Sequence, residues 1–354
     1  MPPDEATTAG ARHAFDLIMV LGMHRSGTSL CSNVLSLLGI DMADNVTPKA
    51  FNAKGNWERP ELMRLHDRVL ELFDRGWYGA NHPLAMPPDW WAEPRVRTIR
   101  DEVVAWLRPR TAAMPRFGFK DPRASLLLPM WREIIAILGC RPRFVFCLRA
   151  PAAVAHSVAD RDKMPVWQGQ YRWAAYNARL VAGLGDDPVC VIPYESWFTD
   201  PFANLRRLSE FVESPRDLDD PLVGHAIANV IDPTLRHQRQ DAQHGAAWPQ
   251  TMYRQILACS LGDRLSVEVR TTAAGFLGIE ALSQPLHEEI ATLRREKAAA
   301  QAAEAVLRQE VADAKATIAT LSAELAAHPA NAAAAVPPPA SEVKAEGALQ
   351  APVV

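Results

Sequence analysis

Phe15-Asp16-Leu17-Ile18-Met19-Val20-Leu21-Gly22-Met23-His24-Arg25-Ser26-Gly27-Thr28-Ser29 is the stretch on which the reading of this chain turns. The run from Phe15 to Leu21 has the pattern of a buried strand, and Leu30 to Leu38 behind it reads as an amphipathic helix. A glycine-bounded loop between strand and helix aims several backbone N–H groups, and the positive end of the helix dipole, at one point. That is a cradle for phosphate, in which Gly22 and Gly27 permit the tight turn and Thr28 and Ser29 add hydroxyl donors. A Walker A loop carries a lysine directly after its second glycine. Here Thr28 stands there, and the cation, Arg25, lies two residues before Gly27 instead. Arg25, Ser26, Gly27, Thr28 and Ser29 are therefore expected to hold a phosphate other than the γ-phosphate of ATP. His24 either touches the same anion or caps the loop.

The chain of 354 residues is 48% hydrophobic, enough for one large domain with an appendage. A formal net charge of −3 gives no electrostatic case for nonspecific nucleic-acid binding. Five cysteines, Cys31, Cys140, Cys147, Cys190 and Cys259, are scattered through apolar runs and read as small core residues of a reducing compartment. Without a CxxC or HxxxH pair, no metal site is expected. The chain opens on Met1-Pro2-Pro3-Asp4-Glu5, which lacks a basic leader, and no run approaches the ~18 apolar residues of a membrane span. The expectation is a cytoplasmic protein with no transmembrane segment.

From about Phe15 to Gly278, strand-like and helix-like segments alternate, which predicts an α/β architecture around a parallel sheet. The clearest strands are Leu17–Leu21, Phe117–Lys120, Arg143–Leu148 and Val189–Pro193. Helices are expected at Pro60–Phe73, Val96–Leu107, Pro151–Arg161, Tyr171–Leu184 and Pro201–Val212. Between Arg75 and Pro94, Trp77, Tyr78, Trp90 and Trp91 sit among prolines. This reads either as an acceptor-binding lid at the site mouth or as a surface loop pinned by its aromatics. Beyond Gln284, Leu286, Leu293, Ala300, Leu307, Ala314 and Leu321 recur every seven residues, with Ile290, Lys297, Glu304, Val311, Ile318 and Leu325 as the other half of a seam. Glu310 and Lys315 are placed for a g-to-e pair between parallel chains. A coiled coil that makes a homo-oligomer is expected; the alternative is a lone alanine-rich helix folded back on the core. After His328 the chain is rich in alanine and proline. The predicted divisions are a flexible N-terminus (1–14), a P-loop-type α/β domain (15–283), a coiled-coil helix (284–327) and a disordered tail (328–354).

A second anion-binding segment follows the third strand. Phe144-Val145-Phe146-Cys147-Leu148-Arg149 leads into Pro151 and a helix that carries Ser157. An arginine at a strand's carboxyl end and a serine two turns into the next helix can grip one phosphate from two sides. HRSGTS after the first strand, joined to R-x7-S after a later one, resembles the sulfotransferase superfamily, whose members use 3′-phosphoadenosine 5′-phosphosulfate (PAPS). The resemblance runs from roughly Phe15 to Val212 and includes Val191-Ile192-Pro193-Tyr194-Glu195. It implies a P-loop-type three-layer fold with a central, mainly parallel sheet. By the same likeness, Arg25 to Ser29 would take the 5′-phosphosulfate, Arg149 and Ser157 the 3′-phosphate, and Tyr194 would help to hold the adenine end.

Lys120, in Phe119-Lys120-Asp121-Pro122-Arg123, resembles the family's second catalytic cation. Arg25 stands where many members have a loop lysine, although the tyrosylprotein branch and many bacterial members carry arginine there. The small-molecule branch places a catalytic histidine two residues after the corresponding lysine; here that position is Pro122. Glu58, within Asn52-Ala53-Lys54-Gly55-Asn56-Trp57-Glu58, resembles the base of an N-x-x-G-x-W-E segment in bacterial sulfotransferases. Its other reading is a helix-start carboxylate before Pro60, with His24, His66 and Asp67 as rival bases and Asp121 as an orienter of Lys120 or Arg123. Leu235-Arg236-His237-Gln238-Arg239 either completes the 3′-phosphate site or is a solvated charge run. The resemblance implies sulfuryl transfer from PAPS to a hydroxyl, less readily an amine, on a carbohydrate or glycoconjugate, and that chemistry requires no metal. Two other functions fit parts of the pattern: a P-loop small-molecule kinase, and a non-catalytic nucleotide-binding scaffold working through the coiled coil.

Overall fold

A computed structural model describes residues 15–43, 55–77, 79, 82–231, 247–259 and 264–327. The expected flexible ends, Asn52 to Lys54, Tyr78 and the Leu235–Arg239 segment lie outside the described residues. The chain forms two compact units, the first ending at His287 and the second beginning at Glu288.

The first unit is built on four parallel strands, β1 (Asp16–Leu21), β2 (Arg116–Lys120), β3 (Arg141–Leu148) and β4 (Val189–Pro193), in the order β2-β1-β3-β4. Helix α1 (Thr28–Leu37), α2 (Pro60–Glu71) and α3 (Pro94–Ala113) connect β1 to β2. Helix α4 (Leu128–Leu138) leads to β3, and α5 (Pro151–Asp162) with α6 (Val166–Leu184) leads to β4. Helices α7 (Pro201–Phe211), α8 (Pro221–Val230), α9 (Ala247–Leu257) and α10 (Val267–Ala327) follow. All four predicted strands and, with Leu30–Leu38, all six helices predicted before Gly278 are present, with ends displaced by up to six residues.

The strands read as unbroken apolar runs because both sheet faces are covered. Side chains alternate along a strand, so Leu17, Met19 and Leu21 of β1 join one cluster with α3, α4 and α6, while Ile18 and Val20 join another with α1 and α7. The same split divides Phe144, Phe146 and Leu148 of β3 from Val145 and Cys147. The chain leaves β1 for β2 on one side and reaches β3 on the other, so the crevice at the carboxyl ends of β1 and β3 is the topological switch point where such sheets bind ligands.

Helix α10 starts in the first unit, where Val269 and Ala273 are buried. Glu280, also buried, accepts from Arg179 Nη2 at 2.5 Å and from the Tyr171 hydroxyl. From Leu286 onward its large apolar heptad side chains, Leu286, Leu293, Leu307, Val311, Ile318, Leu321 and Leu325, are exposed, at 53–65%. No helix among the described residues is long and apolar enough to cross a membrane.

Candidate active site

Strand register brings the site together. Val20 is level with Lys120 and Leu21 with Phe146, so Gly22 after β1, Lys120 ending β2 and Arg149 just beyond β3 lie along one sheet edge. Tyr194, directly after β4, completes the row.

Gly22 has φ 128°, and its amide donates to Ser125 Oγ at 2.9 Å. A β-carbon there would drive into the Cys147 carbonyl, so glycine is what lets the loop leave the sheet so close to β3. Gly27, at φ 86°, is the left-handed residue from which α1 begins, and a β-carbon on it would come within 2.5 Å of the Tyr194 ring. Between them Arg25 is itself left-handed, at φ 70°, a conformation costly for a non-glycine residue and held here by tertiary bonds. Its Nε donates to Ser157 Oγ at 2.9 Å, and its carbonyl accepts from Arg149 Nη1 at 2.9 Å. The Arg149 guanidinium stacks over Tyr194 at 4.3 Å, and its carbonyl accepts from Trp173 Nε1 at 3.0 Å. Arg25, Arg149, Ser157 and Tyr194 are thus one interlocked group. Burial, then the nearby Arg161 and Arg149 guanidiniums, lowers the pKa of Arg25, which is the electrostatics of a pocket that an anion relieves. Thr28 and Ser29 open α1, with the helix dipole directed at the same point; Ser29 Oγ donates to the Asn56 carbonyl at 3.2 Å.

His24 is buried between Trp77 and Tyr176, with ring centroids at 5.0 and 5.7 Å, and its Nδ1 lies 3.3 Å from Arg161 Nη2. Burial, reinforced by Arg161, holds its pKa well below the usual histidine range. It is a neutral acceptor for a guanidinium.

Lys120 Nζ donates to Glu58 Oε1 at 2.7 Å, with both side chains largely shielded. The neighbouring Arg59 explains why Glu58 is so placed. Only 1% exposed, Arg59 donates to the carbonyls of Gly118 and Asp41 and stacks on Phe117 at 4.0 Å, pinning the start of α2 to β2. Of the rival bases, His66 has no exposure to the site: its Nε2 accepts from Trp131 Nε1 at 3.0 Å, so its Nδ1 carries the proton and donates to Asp121 Oδ2 at 2.8 Å. Asp121 also accepts from the Arg123 amide and Nη1. Burial pushes its carboxyl up, but Arg123 and His66 outweigh that and hold it below the ordinary carboxylate range. Asp67 accepts from Arg123 Nε at 2.6 Å. Asp121 and Asp67 therefore orient Arg123, whose guanidinium lies 4.3 Å over the Trp77 ring.

These groups open on a cavity of about 560 Å³. His24, Arg25, Thr28, Ser29, Glu58 and Lys120 reach it from the predicted set, whereas Ser26, Gly27, Arg149, Ser157 and Tyr194 do not line it; Arg123 joins them, and Trp77, Met63 and Pro122 give it an apolar wall. Trp90 and Trp173, by contrast, are buried in the core. Arg161, Asp162 and Arg172 line the cavity as well and were not anticipated. Lone cations on helices α5 and α6 carry no local signature; the available signal was that Arg161 lies one helical turn beyond Ser157, on the same face. Asp162 accepts from both arginines. All five cysteines are free thiols, four of them buried, and no group of metal-ligating side chains occurs among the described residues.

The first unit is an α/β domain with a cation-lined cavity at its switch point. No family model matches the chain, and no curated protein matches it. Among solved structures, it is similar to the sulfotransferase domain of the Synechococcus PCC 7002 olefin synthase, at 18% identity and a TM-score of 0.38 over 74% of this chain and 94% of that one. The sulfotransferase domain from the curacin biosynthetic pathway matches at 15% identity and a TM-score of 0.35, over 74% of this chain and 97% of that one. The Mycobacterium avium sulfotransferase STF9 matches at 16% and 0.37, over 75% and 77%. At such scores the likeness describes the neighbours, and what this site can do rests on its own side chains.

Proposed function

We propose that the chain is a PAPS-dependent sulfotransferase that acts on a hydroxyl of a glycan or glycoconjugate, and that it works as a homo-oligomer through residues 284–327. The observation that carries this reading is the Lys120–Glu58 pair, 2.7 Å apart, lining one cavity with Arg25 and the amino end of α1. A cation, a carboxylate and an anion cradle converge there without a loop lysine.

The side chains suit the nucleotide. Arg25, Ser26, Gly27, Thr28 and Ser29, with His24 behind them, would hold its 5′ end. Arg149 and Ser157 would take the 3′-phosphate, and Tyr194, already stacked on Arg149, would border the adenine. When bound, PAPS supplies an activated sulfuryl group on a phosphate leaving group. Lys120 holds Oε1 of Glu58, which leaves Oε2 to accept the proton of the acceptor hydroxyl. Arg25 and Lys120 present positive charge where negative charge develops on oxygen, in a site shielded from bulk water. Trp77 and Met63 offer the apolar wall against which a sugar ring packs.

Calorimetry with 3′-phosphoadenosine 5′-phosphate tests the nucleotide assignment. Micromolar binding is expected, weakened about tenfold or more in Arg149→Ala and in Ser157→Ala; absent or unaltered binding refutes it. An acceptor screen with labelled PAPS then tests the base. Glu58→Gln is expected to keep nucleotide affinity within about twofold while losing on the order of 100-fold in turnover. Surviving turnover assigns the proton to another residue, and magnesium-dependent ATP turnover would favour a kinase.

A further inference from the structure

Among the described residues the second unit carries a helix whose large apolar seam side chains are exposed, and the identity and order of those side chains name the occupant of the seam. We infer that α10 pairs with α10 of a second copy of this chain as a two-stranded, parallel, in-register coiled coil. This goes beyond association as such: it fixes strand number, direction and register, and it is independent of the catalytic reading.

Three observations converge. Leu286, Leu293, Leu307 and Leu321 occupy d, with Ala300 and Ala314 between them, whereas the apolar a positions are Ile290, Val311, Ile318 and, at the end, Leu325. Leucine at d with β-branched residues at a is the arrangement that packs two parallel strands rather than three or four. The flanking positions are sorted by sign: Arg294, Arg308 and Lys315 fall at e, and Glu289, Glu296, Glu310 and Glu324 at g. In a parallel pair each g side chain meets the e side chain five residues on in the partner, which matches Glu289 with Arg294 and Glu310 with Lys315. An antiparallel pair would set glutamate against glutamate and arginine or lysine against the same sign. The seam is also interrupted, by Lys297 and Glu304 at successive a positions around Ala300. Polar a residues cost stability but restrict register and strand number. Glu304 already accepts from Arg308 Nη2 at 2.5 Å within its own helix, and a partner Glu296 is placed at g beside Lys297. The strongest block therefore runs from Leu307 to Leu325, where every large apolar seam residue is more than half exposed in the single chain.

Sedimentation velocity on the full chain at about 10 µM is the first test, and a mass twice the 39.0 kDa of the chain is expected. A monomer, or a mass three or four times the chain, overturns the proposal. Leu307→Glu with Leu321→Glu should leave a monomer whose first unit melts at the unaltered temperature. Direction is read by single cysteines: Leu293→Cys and Leu321→Cys should each form an interchain disulfide under mild oxidation, the unaltered chain serving as control. An antiparallel pair can bring at most one of these positions onto its axis, so cross-linking at one or neither overturns the parallel register. Lys315→Glu is expected to weaken the dimer about tenfold, and Glu310→Lys in the same chain to restore it. A charge reversal without effect removes the argument from the g and e residues.

Discussion

Asp121→Asn is the most exacting test of how the site is supported, because it exchanges one atom for another of nearly equal size. Asp121 is buried and accepts from three donors: His66 Nδ1, the Arg123 amide and Arg123 Nη1. Asparagine can keep its oxygen toward the two Arg123 donors, but its NH2 then faces the His66 Nδ1–H. His66 cannot resolve this by moving its proton to Nε2, since that nitrogen accepts the Trp131 indole N–H at 3.0 Å. One donor is orphaned in every arrangement, at about 1–3 kcal/mol. Arg123, also buried, keeps only the partly exposed Asp67 as a charged partner, and breaking one side of such a buried pair costs about 3–5 kcal/mol. With Asp67 still in place, the sum is about 4 kcal/mol. Thermal denaturation followed by circular dichroism should show a midpoint lowered by on the order of 10 °C. The pH dependence has a definite sign. Because the folded carboxyl titrates below its unfolded value, its contribution is full above about pH 4 and disappears as pH falls through the folded value. The gap between the unaltered and Asp121→Asn chains should stay constant from pH 8 to 5 and close only in stronger acid. A midpoint within about 2 °C of the unaltered protein at pH 7 would refute the reasoning.

His82 sets a second pH dependence. Its Nδ1 lies 3.0 Å from the Arg75 carbonyl and its Nε2 2.7 Å from the Tyr176 hydroxyl, and burial lowers its pKa to about 4. The neutral ring's contribution is present above the unfolded value near 6.5 and is lost as pH falls from there toward 4. In urea unfolding His82 alone should account for about 2 kcal/mol of the stability lost between pH 7 and pH 5, so His82→Gln should reduce that slope by this amount and leave the part due to buried His24. Gly22→Ala and Gly139→Ala form a pair. Both glycines have positive φ, but a β-carbon meets the Cys147 carbonyl at the first and nothing within 4 Å at the second. Differential scanning calorimetry should find a loss of about 3 kcal/mol or more at Gly22, and about 1 kcal/mol at Gly139.

The sheet was legible in the sequence because each strand is buried on both faces and so reads as a short apolar run, three of the four ending at Gly22, Lys120 and Arg149. Helix α4, Leu128–Leu138, is absent from the expected elements because its Leu, Met, Trp and Ile residues make it a short run nearly as apolar as the strands. The portion of α10 before Pro285 gives no such signal: buried Val269 falls at a in the register of the heptads beyond, but buried Ala273 and Glu280 fall at e, so no a/d seam marks the segment. At the site, side chains next to strand ends were found from sequence, for strand ends converge by topology. Arg161, Asp162 and Arg172 were not, because helix-borne charges reach the cavity only through the packing of α5 on α6. The pairing of Ser157 with Arg25 was equally invisible: sequence spacing grouped Ser157 with Arg149, whereas both meet at the loop.

The alternation of the strands has a consequence for how this sheet can drift. Hydropathy does not distinguish its two faces, since both are apolar, but bulk does. Phe117, Phe119, Phe144 and Phe146 point one way, and Gly118, Val145, Cys147 and Cys190 the other, toward α1, Ile40 and Met42. A β-carbon on Gly118 would already collide with Met42. A one-residue slip of β2 or β3 would leave the strand as greasy as before and still exchange the thick layer for the thin one. In β2 and β3 register is written in volume, so neighbouring residues there can be traded for others of equal hydrophobicity only while their sizes continue to alternate.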